Sequence, residues 1–189
     1  MTTLASRPHG TRTPLDRVRR LAHWVRMLTV AGAVTLPLGT LWVWSSPDRI
    51  ARFVASTLGL NATALQLAPS TSWLGALVNL LPVAVGWFAL LQIWRLFGGY
   101  MRGEFFTPGA TQRLRRLAMA LLAVALAQVV ARSATGVVLT LHLPPGQRRL
   151  IVGFSSHDYV LLLFGLLLWA IAHVMVEATR LAHENEQFV

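Results

Sequence analysis

Apolar residues gather into four long runs, at about 27–44, 73–94, 117–141 and 159–176, separated by polar segments rich in arginine. A helix needs about 20 apolar residues to cross ~30 Å of hydrocarbon. The first and last runs sit near the short limit of that range. The pattern predicts an all-α membrane protein of four transmembrane helices over 27–180, with a basic tail at 1–26 and a short acidic tail at 181–189. Between the first two runs, "SSPDRIARFVASTLG" places Ile50, Phe53, Val54 and Leu58 on one helical face. Ser46 suits an N-cap and Pro47 the first helical position. A short amphipathic helix is therefore expected in the first outer loop, lying on the leaflet or capping the bundle. The second outer connection, "LPPGQRRLIVGFSSHD", suits a compact loop or a short hairpin.

Composition sharpens this picture. Hydrophobic residues make up 54% of the chain and charged residues only 13%, against about 25% charged in soluble domains. There is no cysteine, which excludes disulfides and thiolate metal sites. All 17 basic residues are arginine, and the net charge is +10. Twelve of them fall in the two tails and the middle connection, four in the two outer connections, and Arg132 lies inside the third run. Positive residues mark the cytoplasmic side, so both termini are expected there. The arginines flank apolar runs, where anionic headgroups would meet them. The expected partner is the lipid bilayer, with no direct nucleic acid. The first run is expected to be a retained anchor, because its polar lead is long and no small-x-small cleavage site closes it. Trp24, Trp42, Trp44, Trp73 and Trp94 fall near run ends, as headgroup-layer indoles do. Trp87 and Trp169 fall inside runs, where packing is their expected role.

Arg132 is the sharpest chemical feature. An unpartnered arginine in a span costs a few kcal/mol at least, so it should face the bundle interior, a partner or water. Gln128, Arg132 and Thr135 lie at i, i+4 and i+7 and form one polar stripe. Measured inward from the loop ends at 1.5 Å per residue, Asn79 and Asp158 are the candidate partners. A second polar layer could pair Gln128 with His173, and His173 and Glu177 share a face at i, i+4. The structural alternative is a buried histidine bonded across helices and a glutamate at the inner interface facing Arg95 or Arg180. A metal site needs three or four ligands, and no cofactor or metal is expected. Ala31, Thr35 and Gly39 form a small-xxx-small face suited to close helix contact. Pro37 and Pro82 would kink their spans. No phosphate loop, HExxH or nucleophile elbow occurs, so no enzyme is expected.

The middle connection, "LFGGYMRGEFFTPGATQRLRRL", has a glycine-rich turn. Thr107-Pro108 then reads as the N-cap and first position of a helix. With Tyr100, Gly103, Phe106 and Thr107, this stretch resembles the signature of a bacterial membrane family catalogued as domain of unknown function 2975. So does the end of the chain, through Ala178, Leu181, Glu184, Asn185, Glu186 and Val189. The likeness extends from the first span onward. It implies four spans, a bacterial inner (plasma) membrane and no enzyme activity. Members are often encoded beside a small helix-turn-helix regulator, which implies a cytoplasmic transcriptional regulator as partner. The expected function is a non-enzymatic regulator or sensor that holds such a partner at the motif turn and the acidic tail. The alternative is a small transporter, channel subunit or immunity-type protein using Arg132 as an anion or headgroup site. A homodimer would bury Arg132 more easily than one bundle.

Overall fold

A computed structural model describes residues 14–58, 69–104, 107–140 and 153–186. It contains five helices: α1 (Pro14–Trp44), α2 (Pro47–Leu58), α3 (Pro69–Met101), α4 (Pro108–Thr140) and α5 (Ser156–Glu186). Four are long and apolar enough to cross a membrane, over Arg19–Trp44, Thr71–Met101, Pro108–Thr140 and Ser156–Ala178. The chain is a multi-pass membrane protein. Most large apolar side chains on these helices are exposed, as a lipid-facing surface requires. No strand occurs among the described residues. The connection expected as a compact loop or short hairpin lies mostly outside the described residues.

The helices pack antiparallel in chain order, α1 on α3, α3 on α4 and α4 on α5. Trp44 lies against Gly75 and Arg19 reaches the Met101 carbonyl, which sets the α1–α3 register. Asn79 meets Thr135, and Arg113 meets the Arg95 carbonyl, which sets α3 against α4. Leu122 lies against Gly165, where an added Cβ would sit 2.8 Å from its side chain and 3.3 Å from its backbone nitrogen. That close approach needs glycine. α4 is the most buried span and stands between α3 and α5.

The two ends of the bundle are finished differently. At one end α2 packs on α1 and α4. Ile50 and Val54 are buried there with Trp44 and Leu139, and Phe53 packs beside them. Of the amphipathic face expected from the sequence, Ile50, Phe53 and Val54 pack here, and the Leu58 side chain lies outside the described ones. Trp44 belongs to this core, not to a headgroup belt; Trp24, Trp42 and Trp73 are exposed. At the other end Leu96, Leu114, Leu117 and Ala172 join α3, α4 and α5.

Pro37 lies inside α1. Having no N–H, it leaves the Ala33 carbonyl without its helical donor. The Trp87 indole N–H donates to that carbonyl at 2.8 Å. Trp87 therefore does more than pack. The small face of Ala31, Thr35 and Gly39 is exposed, and a Cβ added at Gly39 would meet nothing within 4 Å. α1 instead meets α3 through the face of Thr29, Gly32 and Leu36, where Leu90 approaches Gly32 and Leu36 approaches Gly86.

Candidate functional site

α5 begins level with Arg132, about 12 Å short of the end of α4 at 1.5 Å per residue. The sunken start brings its capping residues to the arginine. Ser155 is the N-cap: its Oγ accepts the Asp158 backbone N–H at 3.3 Å, and Asp158 Oδ2 accepts the Ser155 N–H at 2.8 Å. This is a reciprocal capping box, with aspartate in the acidic position. The same carboxylate takes Arg132 in a two-pronged pair, Nη1 to Oδ2 at 2.9 Å and Nη2 to Oδ1 at 3.0 Å. Nη1 also donates to the Gly153 carbonyl at 2.9 Å. The Asp158 side chain is 0% exposed and that of Arg132 12%. Of the two partners expected, Asp158 is the one that pairs. Asn79 instead donates to Thr135 Oγ1 at 3.0 Å and to the Gly75 carbonyl at 2.9 Å. The polar stripe on α4 is thus divided, with Arg132 serving α5 and Thr135 serving α3. One chain buries the arginine, which removes the reason for expecting a dimer.

The described flanks of the α3–α4 turn, 99–104 and 107–111, form a second polar site. Gly103 has φ +85°, a conformation costly for residues with a Cβ. Its N–H reaches the Tyr100 carbonyl at 3.1 Å, and the Glu104 N–H reaches the Gly99 carbonyl at 3.1 Å. These two bonds make a Schellman cap that closes α3. Glu104 accepts from Arg102 at 2.8 and 3.2 Å and lies 3.8 Å from Arg113. The Arg102 hydrogen bond holds the Glu104 carboxyl below the usual carboxylate range, and the charges of Arg102 and Arg113 act in the same direction. Thr107 then caps α4, its Oγ1 accepting the Ala110 N–H at 3.2 Å. Tyr100 is half-buried, packed on the core and edge-on to Phe97 at 5.5 Å. Phe106 lies outside the described residues.

A family model described as Protein of unknown function (DUF2975) matches residues 59–189. The chain belongs to the DUF2975 family. The matched part of this DUF2975 protein holds α3, α4, α5, the turn and the ion pair. α1 and α2 precede it, so the match is shorter than the likeness read from the motifs. No curated protein and no solved structure matches the chain.

Two other expectations for this DUF2975 protein change. Gln128 and His173 do not share a layer: the α4–α5 register separates them by about 20 Å along the bundle. His173 is exposed, not bonded across helices in the core, and stacks on Trp169 at 5.9 Å. Glu177 is exposed and pairs with Arg180 at 3.7 Å. α5 runs on to Glu186, carrying Glu184, Asn185 and Glu186 on its last turn; their side chains lie outside the described ones. Among the described residues no three His, Asp or Glu side chains gather as a metal site.

One polar residue was passed over in the sequence. Gln92 lies between Ala89 and Leu96 on the α3 face that packs on the core, and is 1% exposed. Its amide nitrogen and oxygen find no partner among the described residues. An isolated amide in an apolar run was the available signal.

Proposed function

We propose that the protein is a non-enzymatic regulator or sensor of the bacterial inner membrane, with both termini in the cytoplasm. It holds a soluble partner, such as a small helix-turn-helix regulator, at the α3–α4 turn and the acidic end of α5. The supporting observation is the turn itself. Backbone caps fix it on both sides, and it offers exposed Arg102 and Gly103 beside Glu104. A polar segment held by backbone hydrogen bonds, as 102–104 is, loses little entropy on binding. α5 continues past the level of Pro108, which brings the acidic tail to the same end of the bundle. Tyr100 and Thr107 serve this surface from behind, as packing and cap.

The transporter or immunity-type alternative has less support. Its anion site would need the charge of Arg132, which Asp158 already meets. A pull-down of the tagged protein from its native membrane in mild detergent, read by mass spectrometry, tests the proposal. A stoichiometric small DNA-binding protein, lost on changing Arg102 and Glu104 together, is expected. Recovery of the chain with only itself and lipid would overturn it.

A further inference from the structure

A cleft of about 540 Å³ runs between α1 and α3, lined by Thr29, Val30, Ala33, Trp87, Leu91 and Trp94. Two of its polar groups are already engaged. Thr29 Oγ1 donates to the Val25 carbonyl at 2.7 Å, and the Trp87 indole to Ala33. The walls therefore offer hydrocarbon almost alone. On α3 its lining runs from Ala84 to Trp94, a rise of about 15 Å, comparable with the ~15 Å depth of one leaflet's hydrocarbon.

One end of the cleft is charged. Arg26 lies over the Trp94 ring at 3.7 Å from its centroid, which fixes the guanidinium at the mouth. One of its Nη atoms reaches only the Met101 sulfur, at 3.4 Å, and its buried Nε has no partner. No carboxylate among the described residues lies within ion-pair reach of it. Arg19 shares this face of α1, two turns earlier, and reaches the Met101 carbonyl. An apolar slot that ends at an uncompensated guanidinium at the edge of a span is complementary to one kind of molecule. It fits a hydrocarbon chain joined to an anion.

We propose that this cleft is a binding site for one anionic phospholipid, its acyl chain between α1 and α3 and its phosphate on Arg26. The site uses neither Arg102 nor Glu104, so the two proposals stand or fall separately. The test is native mass spectrometry of the full chain in mild detergent, with added dioleoyl phosphatidylglycerol or dioleoyl phosphatidylcholine. One phosphatidylglycerol is expected to remain bound at severalfold higher occupancy than phosphatidylcholine. Arg26→Gln should bring its occupancy down to the phosphatidylcholine level. Arg20→Gln, which removes an equal charge from an exposed position on α1, should leave the preference intact. Ala33→Phe, which fills the cleft, should lower the occupancy of both lipids. Equal retention of the two lipids by the unmodified chain would overturn the proposal, even if a variant failed to fold. So would equal loss of preference from Arg20→Gln and Arg26→Gln, which would mean bulk charge alone.

Discussion

Arg132 and Asp158 form a pair whose halves are worth little apart. Burying two charges costs several kcal/mol each, and good geometry repays most of it. Removing one partner leaves the other buried without its counter-charge. Arg132→Met is therefore expected to cost about 3–5 kcal/mol. Combining it with Asp158→Asn should recover much of that loss, because asparagine can still cap α5. Unfolding in mixed micelles measures the cycle; additive single costs would show that the pair is not coupled. Gln92 presents the opposite case, a buried amide with neither half satisfied. Gln92→Met keeps the shape and removes the unmet polar atoms. It should stabilise the chain by about 1–3 kcal/mol in the same assay. A loss instead would reveal a hydrogen-bonding partner at that amide.

Among the elements, α1 and α3 are joined by a hydrogen bond that a proline makes necessary. Trp87→Phe removes the donor to Ala33 and is expected to cost about 1–2 kcal/mol. In a Pro37→Ala background the backbone N–H returns, and the same Trp87→Phe change should cost clearly less. Equal costs in both backgrounds would show that Trp87 acts only by packing. The existence and order of the four spans were legible in the sequence, because apolar runs mark them directly. The spans reach beyond those runs, to Arg19–Trp44, Thr71–Met101, Pro108–Thr140 and Ser156–Ala178, since helix continues into the flanking polar residues. Pro47 and Thr107-Pro108 stand where the helix-start signals placed them. Register between helices was not legible. Depth measured inward from loop ends assumes that neighbouring helices begin level, and α5 does not. That one offset explains both outcomes at the site. It brought Asp158 to Arg132 without any reach toward the surface, and it separated Gln128 from His173. The packing face of α1 was also hidden, since small residues permit contact on several sides and only the partner's shape selects one.

For the whole molecule, the row of helices places the α2 end and the α3–α4 turn at opposite ends of the bundle. Arginine counting assigns the turn to the cytoplasm. The natural absence of cysteine makes this simple to check. Gln112→Cys and Ser56→Cys, both at exposed positions, should label with an impermeant maleimide from opposite faces of the membrane. In intact spheroplasts only the Ser56 variant should react, and in inverted vesicles only the Gln112 variant. The reverse pattern would invert the topology and move the motif turn outside.

The shared carboxylate at the head of α5 also bears on how the protein is made. Asp158 follows Arg132 by 26 residues, so a ribosome finishes the α4 segment before its counter-charge exists. Alone, that segment carries an insertion penalty of about 2.5–3.5 kcal/mol for the arginine. The penalty falls away only when the next segment arrives with its aspartate. α4 is thus expected to insert more readily together with α5, as one hairpin, than alone.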